Sequence, residues 1–357
     1  MGLENILIKN GKIWNGNGFE DGDVLIENGI ITQTGKLSGC NAQYTFDAQE
    51  NIISAGLIDI HSHIYGISSD DYGIYCEASS FPFGVTAVME PSACQGDKKC
   101  LEMLGVKTVV GVCADIKNDC AYMEKTKELL RKYDDKAIAV KVFFSESDNV
   151  KSLTPLKQWC DYAKANGLKV VVHTTQSPVP MSEILSCLSE GDICTHVYHG
   201  GKNSALDDGF ISIKDAKKRG VIIDFGMAGY AHTDFAVARA AAQRGVFPDT
   251  ISSDITSCSA FVRGGRYGLT LCMSFMRTLG MDEKEIFKAV TVNAARVVKK
   301  DNEWGKIETG RCADIAVIEY GKGGQFDITD AAGNNVKNEN GYSCLLTVAN
   351  GKIVYRG

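Results

Sequence analysis

The sequence predicts an α/β fold: a (β/α)8 barrel of the TIM type, with a small β-sandwich-like domain formed by both termini. The middle of the chain alternates eight short apolar runs with helical patterns, and eight parallel strands are the number that closes a barrel. Both ends instead carry short β-type runs separated by Asn-Gly and Asp-Gly turns. A doubly wound open sheet is the alternative, but it requires a Gly-rich phosphate turn where this chain has His61-Ser62-His63.

The two ends are expected to form one small β-domain from residues 1–53 and 305–357. The first segment has apolar runs such as 6–8, followed by turns such as Asn10-Gly11. The last segment ends in the run 345–355, which has an Asn-Gly turn at its centre. Similar β-rich ends around a different middle indicate a single sheet to which both ends contribute.

The barrel is expected to occupy residues 54–304. Its predicted strands are 53–60, 84–89, 106–113, 137–143, 168–173, 192–196, 220–224 and 250–254. Helical patterns separate several of these strands, at residues 121–133, 155–165, 212–219 and 233–244.

Composition argues against several classes of function. The 357 residues include 38 basic and 44 acidic side chains without a Lys/Arg run, so we expect no nucleic-acid partner. No apolar stretch is long enough to cross a bilayer and no secretory signal is visible, so we expect a cytoplasmic protein without membrane contact. The 13 cysteines include no Cys-x-x-Cys pair, which favours reduced thiols over a disulfide framework. Cys94 and Cys258 are candidates for a functional thiol.

Metal-binding residue types recur where predicted strands end. His61 and His63 close the first strand, and two histidines two residues apart on a strand point to the same side. Further candidates lie at or near the ends of strands four, five, six and eight: Lys141, His173, His196 and Asp254. Active sites of barrels lie at the C-terminal ends of the strands, so these side chains are expected to converge there. Four imidazoles, one acid and one lysine at such positions indicate a metal site.

Lys141 is unusual because it lies inside the apolar run 139–144. A buried ammonium group is costly, and burial lowers its pKa. A neutral amine can capture carbon dioxide as a carbamate, whose two oxygens can bridge two cations. The alternative is a lysine at the edge of a strand whose amine reaches solvent. Glu90, after the second strand, is a candidate ion-pair partner or a purely structural acid.

Three stretches of the chain resemble the amidohydrolase superfamily. Residues 53–63 (ISAGLIDIHSH) are similar to its first-strand signature. Residues 305–317 (GKIETGRCADIAV) resemble the segment by which its chains return to the small β-domain, and residues 291–296 (TVNAAR) fit the helix before it. The resemblance is strongest to the amidohydrolase/deacetylase group that is related to dihydroorotases and D-aminoacylases.

The resemblance implies a binuclear site for two divalent ions, most often zinc. The implied ligands are His61, His63 and Asp254 for the first ion and His173 and His196 for the second, with N6-carboxylated Lys141 (a carbamate) bridging them. It also implies a hydroxide, shared by the two ions, that attacks a polarised carbonyl group. Asp254 would take the proton and return it to the leaving group.

Substrate contacts are expected from residues near the ligands. The candidates are His199 and Tyr198 after the sixth strand, His232 after the seventh, and Arg263 and Arg266 after the eighth. The two arginines are suited to bind a substrate carboxylate with two hydrogen bonds each. We therefore expect a small-molecule substrate, and a homo-oligomeric assembly.

The expected reaction is metal-dependent hydrolysis of an amide or ester bond. The favoured form of it is deacylation or deacetylation of a small N-acyl or O-acyl carboxylic acid. A cyclic amidase of the dihydroorotase or hydantoinase type is the alternative enzyme, and a non-catalytic barrel scaffold is the alternative from another class. Deaminase chemistry fits less well, because it usually goes with a one-metal site that lacks the lysine. The scaffold is disfavoured because every expected ligand position is filled.

Overall fold

The computed structural model describes residues 5–69, 71–117, 119–146, 150–228, 231–262 and 267–357. In chain order, the strands are β1 (Ile6–Trp14), β2 (Phe19–Glu27), β3 (Ile30–Gly35), β4 (Tyr44–Asp47), β5 (Ile52–Ala55), β6 (Leu57–Asp59), β7 (Val85–Ala93), β8 (Lys107–Cys113), β9 (Asp115–Lys117), β10 (Cys120–Tyr122), β11 (Ala137–Phe143), β12 (Lys169–His173), β13 (Ile193–Thr195), β14 (Ile222–Asp224), β15 (Ile315–Gly321), β16 (Phe326–Thr329), β17 (Asn335–Asn338), β18 (Gly341–Ala349) and β19 (Lys352–Arg356).

The α-helices, in chain order, are α1 (Cys76–Ser80), α2 (Lys98–Glu102), α3 (Met123–Tyr133), α4 (Thr154–Ala165), α5 (Met181–Cys187), α6 (Ile211–Lys218), α7 (Phe235–Gln243), α8 (Ser257–Val262), α9 (Leu269–Thr278), α10 (Glu283–Val290) and α11 (Val292–Val297). In the part of the chain that the structure describes, no helix combines the length and the apolar character needed to cross a membrane.

The barrel is a parallel sheet with the strand order β14-β13-β12-β11-β8-β7-β6. Its strands are apolar on both faces because helices cover one face and the barrel interior covers the other. All nine residues of β7 are buried, and β12 places three buried valines between Lys169 and His173. The predicted barrel is confirmed, and its parallel strands direct all their C-terminal ends to the same rim.

The eighth position of the ring is filled by residues 250–255, and the sequence predicted a regular strand at 250–254. The structure has an extended segment there instead, with one isolated bridge to Asp224 and one to Ser62. The segment leaves the pleat because Asp254 has a left-handed backbone (φ 49°). Its amide still donates to the His61 carbonyl at 2.7 Å, so the segment connects β14 to the loop after β6.

The predicted first strand, 53–60, is divided in the structure at Gly56. Residues before it form β5 in the terminal sheet, whereas residues after it form β6 in the barrel. A Cβ atom at Gly56 would lie 2.0 Å from Oγ1 of Thr86, so only glycine allows the chain to pass so close to β7. The sequence does not indicate this change of sheet, because the residues on both sides of Gly56 are mostly apolar.

Strands from both ends of the chain form one mixed sheet, with the order β19-β18-β15-β5-β1-β2-β3 and with β4 paired to β1. This sheet is separate from the barrel sheet, as the predicted fold class requires. β5 links the two ends because it pairs with β1 on one side and with β15 on the other. The domain boundaries at 53/54 and 304/305 stay a prediction.

Polar contacts such as the following two attach the terminal sheet to the barrel. The buried Trp14 donates from Nε1 to Oγ1 of Thr291 at 3.0 Å, which joins β1 to the residue before α11. Lys107, the first residue of β8, forms an ion pair with Asp314 just before β15. These two contacts therefore attach the sheet to the barrel at different places.

Candidate metal centre

The register of the barrel strands places the candidate ligands at one level. His173 at the end of β12 pairs with Thr195 at the end of β13, and Thr195 pairs with Asp224 at the end of β14. His196 follows Thr195 directly. Lys141 lies opposite Val171, two residues before His173, so its longer side chain starts deeper in the barrel. Convergence at the rim is thus a consequence of parallel strand pairing.

The first donor group consists of His61, His63 and Asp254, whose ligand atoms all lie within 4.8 Å of one another. Nε2 of His61 is 3.2 Å from Oδ1 of Asp254, and Nε2 of His63 is 3.0 Å from the same oxygen. All three residues are buried. Two imidazoles and one carboxylate facing a common point are a donor set for a divalent metal.

The second donor group consists of His173, His196 and His232, and its ligand atoms also lie within 4.8 Å of one another. The ring centroids of His196 and His232 are 4.3 Å apart, and that of His173 is 4.7 Å from that of His196. Asp254 faces this group as well, because its Oδ2 atom is 3.8 Å from Nε2 of His196 and from Nε2 of His232. The two groups therefore meet at one carboxylate.

Lys141 lies beside the first group. Its amine nitrogen is 3.2 Å from Nε2 of His61 and the residue is almost fully buried. Burial lowers the pKa of Lys141 to about 8, against the opposing charges of Asp254 and Asp224. The amine is thus more readily neutral than that of an exposed lysine.

The outward nitrogens of the first-group histidines are held by neighbouring residues. Nδ1 of His61 is 3.3 Å from Oγ1 of Thr195. Nδ1 of His63 is 3.1 Å from Oγ of Ser68 and 3.3 Å from Oε1 of Glu90. Such partners orient a metal-binding histidine, because they occupy one ring nitrogen and leave the other for the ion. Glu90 combines the two roles considered for it, because it faces His63 and also accepts hydrogen bonds from the amides of Ile64 and Ser92.

His196 is oriented by the backbone of the next strand. Its Nδ1 atom donates to the carbonyl of Gly226 at 2.7 Å, which leaves the lone pair of Nε2 free for a cation. His196 has a left-handed backbone (φ 62°), as has Asp254, and strained conformations of this kind are typical of functional sites. Both residues therefore have a backbone conformation that is uncommon for residues other than glycine.

The protonation states suit metal binding. Burial lowers the pKa values of His173 and His196 well below the usual range, so both rings are neutral ligands. Burial alone would raise the pKa of Asp254, but the neighbouring histidines hold it well below its usual value. Burial lowers the pKa of His63, but the carboxylates of Glu90 and Asp254 outweigh this effect and raise it to about 9. The same two carboxylates would favour the binding of a divalent cation at this place.

The donor chemistry therefore fits divalent metal ions. Imidazole and carboxylate ligands are typical of zinc and neighbouring transition metals. All six predicted ligands come together at the C-terminal rim of the barrel. His232, predicted as a substrate contact, lines the same cavity and is grouped with His173 and His196.

The donor groups line a cavity of about 610 Å³. Small hydroxyl-bearing residues, thiols and two aromatic rings make up most of the remaining wall. These further lining residues are Ser68, Ser69, Tyr72, Ser92, Cys94, Cys113, Phe143, Ser145, Thr175, Gln176, Ala228, Ala231, Thr256, Cys258 and Ser259. The candidate thiols Cys94 and Cys258 thus line the same cavity as the two donor groups.

The other predicted substrate contacts have different surroundings. Tyr198 is a buried core residue whose hydroxyl group donates to the carbonyl of Val246 at 3.2 Å. His199 lines a neighbouring cavity that shares Gln176 and His232 with the main one. Arg263 and Arg266 lie outside the described residues.

Three supporting residues were missed at the sequence level. Asp59 accepts hydrogen bonds from the amides of His61 and Ser253. The sequence does not identify it as a site residue, because it lies inside an apolar run. Asp224 accepts hydrogen bonds from the hydroxyl groups of Thr195 (2.8 Å) and Ser252 (2.7 Å). The strand-end criterion that identified Asp254 also applies to Asp224, whereas nothing in the sequence marks the carbonyl of Gly226.

Comparisons with known proteins agree with this geometry. The sequence model of the Amidohydrolase family matches residues 52–354. A deacetylase of Enterococcus faecalis is 26% identical over 340 residues, covering 88% of this chain and 89% of that protein. A deacetylase of Brucella anthropi is 27% identical over 337 residues, covering 87% and 80%. Among solved structures, a dihydroorotase (TM-score 0.86, 22% identity) and an adenine deaminase (TM-score 0.82, 23% identity) each match 99% of both chains.

Proposed function

The chain belongs to the amidohydrolase family, and on this premise we propose that it is a binuclear metal-dependent hydrolase that removes an acyl group, such as acetyl, from a small carboxylic acid. The observation that carries the proposal is the meeting of two three-residue donor groups at the single carboxylate of Asp254. The names of the deacetylases from Enterococcus faecalis and Brucella anthropi support the acyl group as the part that is removed.

The first ion would be held by His61, His63 and Asp254, and the second by His173 and His196. We propose zinc for both, since imidazole and carboxylate ligands suit it. When bound, such ions polarise a carbonyl group and lower the pKa of a water molecule towards neutrality. The protein contributes the position of each ring, which Thr195, Ser68 and the other outward partners maintain.

Lys141 would bridge the two ions as a carbamate. Its neutral amine would attack the carbon of carbon dioxide, forming an N–C bond, and would release one proton as the carboxylate forms. With a pKa of about 8, roughly one amine in ten is neutral at pH 7, whereas an ordinary lysine is almost entirely charged. The 3.2 Å contact with His61 places the amine beside the first donor group.

Asp254 would move the proton. It is ionised at neutral pH because the neighbouring histidines hold its pKa low, so it can accept a proton at either carboxylate oxygen. Its Oδ2 atom lies towards the second donor group, and the residue lines the cavity that would take the substrate. The same carboxyl group can then return the proton to the leaving nitrogen or oxygen, first as general base and then as general acid.

We also propose that Arg263 and Arg266 bind the carboxylate of the substrate, on the basis of their place after the eighth strand position. Each Arg→Ala variant should then raise KM for an acyl amino acid far more than for the corresponding acyl amide, which lacks the carboxylate. Equal effects on both substrates would contradict this role. Arg239→Ala on α7 serves as the matched control.

The experiment that tests the proposed reaction is a substrate panel with the zinc-loaded protein. The panel contains acetyl amino acids, acetyl hydroxy acids, dihydroorotate, hydantoins and adenine. Release of acetate from acyl carboxylic acids supports the proposal, whereas ring opening of the cyclic amides would replace it by a cyclic amidase. Release of ammonia from adenine would indicate a deaminase, and zinc binding without any turnover would favour the scaffold.

A further inference from the structure

We propose that His232 is a third imidazole ligand of the second ion, so that this ion can bind before Lys141 is carbamylated. The inference rests on the proposed function, since it concerns the same metal centre. It reassigns His232 from the substrate to the metal.

The position of the His232 ring supports this role. Its ligand nitrogen lies within 4.8 Å of those of His173 and His196. Its ring centroid is 4.8 Å from that of His173 and 4.3 Å from that of His196. Three imidazoles in this arrangement match the three protein ligands that a catalytic zinc ion commonly has.

The hydrogen-bonding capacity of the His232 ring is also unused. Nδ1 is buried and has no hydrogen-bond partner within the described residues. Nε2 is directed towards Oδ2 of Asp254, at 3.8 Å, which is longer than a hydrogen bond. A histidine with only a structural role would be expected to bond at least one buried nitrogen to a neighbour.

Hydrogen bonds hold the two residues that follow His232. The hydroxyl group of Thr233 donates to the carbonyl of Met227 at 3.0 Å. Asp234 begins α7 as its N-cap, accepting from the amides of Ala236 and Val237. The backbone therefore brings His232 to the second donor group by contacts that do not involve the ring itself.

The two ions would then differ in what they require. The second group offers three imidazoles of its own, whereas the first offers two imidazoles and a carboxylate, with the Lys141 amine 3.2 Å from His61. We therefore infer stepwise loading. One ion enters the three-histidine group without carbon dioxide, and the other is retained only once Lys141 is carbamylated.

Cobalt(II) provides the test, because its visible absorption reports the ligands around it. The metal-free full chain is titrated with cobalt in bicarbonate-free buffer and again with bicarbonate, and bound cobalt is measured by equilibrium dialysis. The variants are His232→Ala, His232→Asp, which restores a ligand, and His199→Ala, a matched control at a nearby histidine outside both donor groups. Where His232→Ala fails to fold, His232→Gln, which keeps the size of the side chain, takes its place.

The wild-type chain should bind about one cobalt ion without bicarbonate and about two with it. His232→Ala should weaken binding of the first cobalt ion by about 10- to 100-fold or more and should change the absorption spectrum. Loss of a residue that only orients a metal ligand already weakens metal binding by this factor. His232→Asp should recover part of the affinity, and His199→Ala should bind as the wild type does. Wild-type affinity and spectrum in His232→Ala would overturn the inference, whereas absence of cobalt binding by the wild type in both buffers would overturn the proposed metal centre itself.

Discussion

The amine nitrogen of Lys141 lies 3.2 Å from Nε2 of His61, although 80 residues separate the two in the chain. Each belongs to a different barrel segment, β11 for Lys141 and the loop after β6 for His61. The contact exists because parallel strands bring their C-terminal ends to one rim. It connects the one buried lysine that the sequence singled out with the first of the predicted metal ligands.

Replacing Lys141 by alanine should remove one of the two ions. The first donor group loses its bridge, whereas the three histidines of the second group remain, so bound zinc should fall from about two ions per chain to about one. Hydrolysis should fall with it and recover in part when a short carboxylate such as propionate is added. Metal analysis and initial rates provide the measurement, with Lys169→Ala on the neighbouring strand β12 as the control. Full zinc content in Lys141→Ala would show that no carbamate is needed.

Asp254→Asn should separate binding from turnover. The amide keeps the size of the carboxylate and the histidines of both groups remain, so much of the metal should stay bound. An amide cannot take up and return the proton, so kcat should fall by about 10²- to 10⁴-fold. Metal content and kcat measured on the same preparation test this separation. A turnover close to that of the wild type would rule out the proton-transfer role.

Gly226→Ala should disturb the metal centre without changing a ligand. A Cβ atom there would lie 2.2 Å from Oγ1 of Thr195 and 2.7 Å from Nδ1 of His196, at a residue with φ +50°. Backbone strain alone costs about 1–3 kcal/mol, and the displaced His196 ring should also bind zinc more weakly. Denaturant unfolding and zinc affinity are the two measurements.

The control for Gly226→Ala is Gly245→Ala. Gly245 also has a left-handed backbone (φ +68°), but a Cβ atom there would meet nothing within 4 Å. This variant should lose about 1–2 kcal/mol of stability and keep its zinc affinity. Equal zinc affinity in both variants would contradict the role assigned to the Gly226 carbonyl.

Thr291→Val should weaken the attachment of the terminal sheet. The buried Thr291 hydroxyl group accepts from Nε1 of Trp14 at 3.0 Å and donates to the carbonyl of Phe287. Valine keeps the shape but leaves the indole N–H unpaired, so the free energy of unfolding should fall by about 1–3 kcal/mol. Denaturant unfolding measures the loss, and the exposed Thr45→Val on β4 is the control. A loss no larger than that of Thr45→Val would show that the contact does not stabilise the protein.

The barrel and the convergence of the six candidate ligands were predictable because both follow from local patterns. Runs buried on both faces stand out as continuous apolar stretches, and the polar residue that ends such a run is conspicuous, as His173 is after three valines. Parallel pairing then ensures that the strand ends meet. The terminal β-domain was predictable for a similar reason, since Asn-Gly turns mark its hairpins.

Other features depend on contacts between distant parts of the chain. Gly56 divides an apolar run between two sheets because Thr86 lies beside it, and the run itself contains no sign of the division. The irregular eighth position arises from the left-handed backbone of Asp254. His232 follows no strand end directly, so the sequence placed it in a loop, whereas the fold brings its ring to His196. Such contacts appear only once the chain is folded.

The central claim is that two ions occupy the two donor groups, and anomalous diffraction at the zinc absorption edge tests it most directly. Crystals grown with zinc and bicarbonate should show two anomalous peaks at the C-terminal rim of the barrel. One should lie among His61, His63 and Asp254 and the other among the histidines of the second group, with density for a carboxyl group on the Lys141 amine. A cavity without anomalous peaks, or zinc bound only elsewhere on the protein, would contradict the account.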